Sequence, residues 1–287
     1  MSPKLIATTV VCALACIVSA PALAKTSTKS GTPYYLALGD SLARGAQPNA
    51  SGRTVPTNHG YADDLFKTEA KKISGLKLVK LGCLGESTTT MINGGKCSYA
   101  AGSQLAAAVK FIHKHNVVLV TLDIGANDVD GCVTPTMQID GTCLTKGIAS
   151  IKANLPVILQ KLRAAAGPHT KIAATTYYDP FLADWLNGAG GQAIATASVP
   201  LDLQINTALI ADFHAKKVRR ADVATAFMTY TPFTTTTTLA GHGTVPVAVA
   251  EICKLTWMCA AKPQGPNIHA NPTGYRKMAS VLAAALR

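Results

Sequence analysis

Acidic residues are scarce in this sequence. Asp and Glu number 15 against 27 Lys and Arg in 287 residues, a formal net charge of +12. The basic residues are scattered, apart from Lys71-Lys72, Lys216-Lys217 and Arg219-Arg220. No nucleic-acid motif accompanies them, which excludes nucleic acid as the expected partner. Such a surface suits an anionic membrane or a cell-wall polymer, and it equally serves solubility alone. Metal-ligand spacing is missing too: neither Cys-x-x-Cys nor His-x-x-x-His occurs, so no metal site is expected. Nothing calls for a cofactor. No internal repeat stands out. The uncharged apolar run at 5–18 is shorter than the ~20 residues of a spanning helix, which excludes a transmembrane anchor there.

What that run does fit is export. Lys4 precedes it, and Ala22-Leu23-Ala24 ends in the Ala-x-Ala form of a cleavage site. Residues 1–24 therefore read as a signal peptide, 25–33 as a short flexible lead-in, and the protein as secreted, either extracellular or associated with the cell wall. Cys12 and Cys16 would leave with the peptide. Six cysteines remain, and an even number in an exported chain reads as disulfides. Six allow 15 pairings. They sit as near neighbours, which favours Cys83–Cys97, Cys132–Cys143 and Cys253–Cys259, each stapling one loop. With 48% hydrophobic residues the rest is ample for one domain over 34–287, expected to be a monomer.

Hydrophobic patterning alternates strands with helices. Buried strands are predicted at 34–38, 117–122 and 171–178, a strand alternating with lysine at 76–81, and a last strand at 221–227. Helices are predicted at 60–72, 103–115, 146–166 with a kink at Pro156, from 198 or 200 to 217, and 272–286, with a short one at 88–92. Asn271 suits an N-cap and Pro272 the first helical position. Residues 45–59, 132–143 and 184–191 read as substrate-defining loops, 188–191 as a flexible break, and 234–238 as unstructured. The alternation implies an α/β fold with a parallel sheet and helices on both faces. Ligands in such folds bind beyond the carboxyl ends of the strands. Ser41 follows one strand, in what reads as the turn into a helix, and Asn127 follows another, so both belong on that edge.

Four residues there suit acyl transfer. Ser41 offers a nucleophilic hydroxyl, Gly85 an unobstructed backbone N–H, Asn127 an amide donor, and His269 an imidazole just before a capped helix. His59, His113, His115, His169, His214 and His242 have no motif partner and read as surface or structural. Asp40 and Asp128 read as loop supports, Asn271 as a cap and Tyr275 as core.

The blocks Gly39-Asp40-Ser41-Leu42, Gly85, Gly125-Ala126-Asn127-Asp128 and His269-Ala270-Asn271-Pro272-Thr273-Gly274-Tyr275 occur in family order from 34 to 286. In them the chain resembles the SGNH (GDSL-type) serine hydrolases, and its three short disulfide loops resemble secreted actinobacterial lipases and esterases of that family. The resemblance implies a three-layer α/β/α fold around a flavodoxin-like, five-stranded parallel sheet. It implies a secreted hydrolase of small-molecule or lipid carboxylic esters, with Ser41 as nucleophile, His269 as base, and Ser41, Gly85 and Asn127 as oxyanion hole. The family usually carries Asp three residues before the histidine, where this chain has Pro266. A backbone carbonyl in 265–267 is the expected support for His269, with the Asn267 side chain and Asp179 as alternatives. A carbohydrate acetyl esterase and a non-catalytic envelope-binding protein on the same fold are the competing readings.

Overall fold

A computed structural model describes residues 31–133 and 138–287. The expected signal peptide, with Cys12 and Cys16, lies outside the described residues. The chain opens on β1 (Pro33–Gly39), an apolar strand fully buried in its second half. A turn carries Ser41, and a small antiparallel ribbon of β2 (Gln47–Pro48) and β3 (Thr54–Val55) follows. Then come α1 (Tyr61–Glu69), β4 (Lys77–Lys80), α2 (Thr88–Asn93), α3 (Gln104–Lys114) and β5 (Asn116–Asp123). The second half holds α4 (Gly141–Ala166), β6 (Lys171–Thr175), α5 (Gly188–Ala215), β7 (Arg219–Ala221) and α6 (Val223–Ala226). It ends with β8 (Thr236–Leu239), β9 (Gly243–Pro246), α7 (Val247–Leu255) and α8 (Pro272–Ala285).

The five central strands are all parallel, in the order β4-β1-β5-β6-β7. This is the flavodoxin-like order, and its direction reverses between β1 and β5. Helices α1 and α8 pack together on one side of the sheet, and α3, α4 and α5 pack in sequence on the other. Each helix faces the sheet with an apolar stripe. In α4 it is Ile151, Leu155, Ile158, Leu159 and Leu162, and in α8 it is Tyr275, Met278 and Leu282, all buried. Asn271 caps α8, accepting from the Thr273 and Gly274 N–H groups at 2.9 and 3.0 Å.

Several expectations need correction. No helix follows Ser41. The backbone instead makes tight turns, with Gly45 N–H to the Leu42 carbonyl and Ala46 N–H to the Ser41 carbonyl. The third buried strand stops at Thr175, because the Tyr177 N–H is taken by the Asn206 side chain rather than a strand partner. The expected last strand is β7 and ends at Ala221, where the Asp222 carboxylate caps α6 through the Thr225 N–H. Residues 188–191 are the first turn of α5 rather than a break, and α5 runs on through Pro200, as α4 does through Pro156. The threonine run is not unstructured, since β8 pairs with β9. Helix α7 was not anticipated, and α4 begins inside the expected 132–143 loop.

The cysteines pair as expected: Cys83 with Cys97, Cys132 with Cys143 and Cys253 with Cys259, at Cα separations of 6.2, 5.4 and 4.9 Å. Cys132–Cys143 ties the segment after β5 to the first turn of α4. Replacing both of its cysteines with alanine is expected to cost about 3 kcal/mol through the chain entropy of that loop. Thermal unfolding under non-reducing conditions measures the loss.

Candidate active site

The turn after β1 is held by polar groups that the sheet buries. Gly39 sits at φ +126°, and a Cβ there would strike the Asp123 carbonyl, so the close approach of β1 to the end of β5 needs glycine. Its peptide is clamped from both sides by Gln104, whose Oε1 accepts from the Gly39 N–H at 2.7 Å and whose Nε2 donates to the Gly39 carbonyl at 2.9 Å. Asp40 then accepts from the Leu42 N–H through Oδ1 at 2.9 Å and from the Tyr177 hydroxyl through Oδ2 at 2.6 Å. Asp123 accepts from the N–H groups of Asp40 and Ala43, both at 3.2 Å, and from the Tyr61 hydroxyl. Burial is the main cause that raises the Asp40 and Asp123 carboxyls above the usual range, and for Asp123 the neighbouring Asp40 adds to it. Asp40 thus supports the turn, as its sequence position suggested.

The turn delivers Ser41 to His269. Its Oγ lies 2.9 Å from His269 Nε2, across 228 residues of chain. On the other side of the ring, His269 Nδ1 is 2.8 Å from Asn267 Oδ1. An amide oxygen only accepts, so Nδ1 carries the proton and Nε2 is left to accept from the Ser41 hydroxyl. Asn267 is itself fixed: its Nδ2 donates to Thr54 Oγ1 at 2.8 Å, its N–H to the Trp257 carbonyl at 3.2 Å, and its Oδ1 also accepts the His269 N–H at 3.1 Å. The expected backbone-carbonyl support is therefore wrong. The histidine is oriented by the Asn267 side chain, two residues before it, which the carboxylate position occupied by Pro266 did not suggest. Nor does Asp179 bind the ring, since its Oδ1 accepts from Phe181 N–H at 2.9 Å. Burial lowers His269 to about 4, so the imidazole is neutral at neutral pH.

Ser41, Asn127 and His269 line one cleft beyond the carboxyl ends of β1 and β5, at the point where strand order reverses. Gly85 does not line it. It lies in the Cys83–Cys97 loop at φ +75°, joined to the site through its neighbour: Asn127 Nδ2 donates to the Glu86 carbonyl at 3.0 Å. The N–H groups of Ser41 and Gly85 donate to no acceptor among the described residues. Asp128 pins the same loop, accepting from Thr88 N–H and Oγ1 at 2.8 and 2.6 Å. Of the expected substrate loops, 132–143 places Cys132, Val133 and Ile139 in the cleft, 184–191 does not line it, and 45–59 contributes Thr54 behind Asn267. Gln104 and Tyr61 carried no sequence signal, because a helix-start polar residue and a helix tyrosine look ordinary until the fold buries them.

The strand order and the helices on both faces make the three-layer α/β/α fold of the SGNH hydrolases. The family model for GDSL-like lipases and acylhydrolases matches residues 37–277, and the chain belongs to that family. Similar solved structures include the extracellular lipase of Streptomyces rimosus, 20% identical with a TM-score of 0.52, covering 88% of this chain and 99% of that one. Phospholipase A1 of Streptomyces albidoflavus is 19% identical, TM-score 0.50, with 88% and 99% covered. The acetylxylan esterase Axe2 of Geobacillus stearothermophilus is 14% identical, TM-score 0.50, with 90% and 95% covered. A search of curated proteins gives no match.

Gln104→Leu removes the clamp on the Gly39 peptide and leaves buried groups unpaired. It is expected to cost at least about 2 kcal/mol in urea unfolding, with kcat falling because the Ser41 turn loses its anchor.

Proposed function

We propose that this protein is a secreted carboxylic-ester hydrolase, esterase- or lipase-like, working through an acyl-enzyme on Ser41. The observation that carries this reading is the hydrogen-bonded series Ser41–His269–Asn267 in an apolar-walled cleft. Ser41 Oγ attacks the ester carbonyl while His269 Nε2 takes its proton, and the same proton passes to the departing alcohol. Water then attacks the acyl-enzyme by the reverse route and releases the acid. Asn267 keeps Nδ1 protonated throughout, so Nε2 always faces the reaction. The free N–H group of Ser41 and Asn127 Nδ2, which both line the cleft, receive the developing oxyanion. Leu42, Val129, Ile139, Leu144, Ile205 and Ile268 line the cleft, which suits an apolar substrate group better than a polysaccharide. Six paired cysteines and a signal-like N-terminus support export, and the basic surface supports work at an anionic membrane or wall.

Hydrolysis of a short p-nitrophenyl ester, and covalent labelling by a fluorophosphonate, are both expected and both lost in Ser41→Ala, the first by ~10⁶-fold. Absence of labelling in the unmodified protein would favour a non-catalytic binding role, and acetate release from acetylated xylan without turnover of longer acyl esters would favour a carbohydrate esterase.

The base works only when neutral, which holds above its pKa. With His269 lowered to about 4, kcat/KM on a neutral ester should hold at pH 5 and fall only near pH 4. Asn267→Ala should lower kcat by about 10²-fold through loss of ring orientation. Asn267→Asp places a carboxylate against Nδ1–H, stabilises the imidazolium and should move the acid limb of the pH profile upward.

A further inference from the structure

The cleft runs on past Ser41 to a wall made by the segment after β6 and by α5. Asp179, Ser198 and Asp202 line it there. Asp179 is 2% exposed, and its Oδ2 has no hydrogen-bond partner. Capping the turn at Phe181 uses only Oδ1, so the fold leaves Oδ2 idle. The Ser198 hydroxyl, near enough to lower the Asp179 carboxyl somewhat, has its one proton directed to the Ala195 carbonyl at 3.1 Å. Asp202 Oδ2 accepts from Tyr230 Oη and Asn206 Nδ2 at 2.8 and 2.9 Å. No Lys or Arg occurs between Lys171 and Lys216, and neither carboxyl joins an ion pair among the described residues. Burial raises Asp179 to about 6, and burial together with the charge of Asp179 raises Asp202 to about 8. The pair therefore resists carrying two negative charges at once. An uncompensated carboxylate under a cleft is costly to keep. A purely alkyl substrate would leave it uncompensated, whereas a cation would satisfy it. Tyr178 and Phe181 line the same wall, and aromatic rings also favour cations.

We propose that Asp179, backed by Asp202, binds a positively charged, ammonium-type group of the substrate, making this end of the cleft a cation subsite. The assignment of substrate class rests on the ester-hydrolase reading of the cleft, but the subsite itself can be tested without turnover.

Two measurements on the whole protein decide it. Choline chloride is titrated calorimetrically into the unmodified protein and into Asp179→Asn, which keeps an oxygen for the Phe181 N–H. In parallel, kcat/KM is compared for butyrylcholine and its neutral carbon isostere, 3,3-dimethylbutyl butyrate. Choline should bind, and the cationic ester should be preferred about tenfold. In Asp179→Asn, or in Asp179→Ser if the amide variant does not fold, binding should vanish and the preference fall towards one. No choline binding and no preference, with the neutral ester still hydrolysed, overturns the subsite and leaves ester hydrolysis standing. A preference unchanged in a folded Asp179 variant overturns it equally. Choline binding that depends on Asp179, with no ester hydrolysed, upholds the subsite and overturns the hydrolase reading.

Discussion

The meeting of Asp40 and Asp123 fixes everything built above it. Of two strands that must lie side by side, β5 ends in Asp123 and β1 runs straight into Asp40, and the fold buries both acids. Full ionisation of both places like charges in a low-dielectric site, and burial raises both carboxyls above the usual range. The remaining lone pairs are filled by Tyr61, Tyr177 and the backbone of the turn. Such a network rigidifies only when fully satisfied. Here that rigidity falls on the segment carrying Ser41, which has no helix of its own to hold it. The same network draws in distant parts of the chain: α1 through Tyr61, the segment after β6 through Tyr177, and α3 through Gln104 on the adjoining Gly39 peptide.

His269 is held by a different logic. A carboxylate beside an imidazole orients it and also stabilises its charged form; an amide does the first and contributes far less to the second. With Asn267 in that place, burial dominates and the ring stays neutral well into acid. The orientation itself is tightly specified, because Asn267 is gripped by Thr54 on one side and Trp257 on the other. This explains the β2–β3 ribbon: it is too short to matter to the sheet, but it puts a hydroxyl behind the asparagine.

Much of this was legible from sequence. Strands β1 and β5 are continuous apolar runs, which only a doubly covered strand tolerates. The α4 stripe repeats at helical spacing, and Asn271-Pro272 announces the start of α8. Knowing that sites form at the carboxyl ends of parallel strands was enough to bring Ser41 and Asn127 together; His269 stood out before the capped α8, and the family resemblance gave it the role of base. What was hidden depends on contacts between distant segments. Gly188–Gly191 looks like a break, yet it is helical because it packs against the preceding turn; a Cβ at Gly191 would strike the Asp184 carbonyl. Helix α7 has a run of apolar residues that serves strand or helix equally in isolation. The support of His269 was expected from a backbone carbonyl in 265–267, with the Asn267 side chain only an alternative, because no local pattern says that an asparagine two residues before a histidine will turn its side chain toward the ring.

The distribution of charge ties these parts together. The chain is strongly basic, but its Lys and Arg stop at Lys171 and resume at Lys216, and between them lie the cleft wall after β6 and the whole of α5. The acids inside that interval include Asp179 and Asp202, both facing the cleft. A lysine there would reach either carboxylate easily and neutralise it. Its absence keeps the cleft wall free of positive charge while the rest of the surface carries it. On the proposed reading, long-range attraction to an anionic surface and short-range selection inside the cleft act with opposite signs. A protein arranged this way can be drawn to a negatively charged layer without its cleft being filled by that layer's own anions.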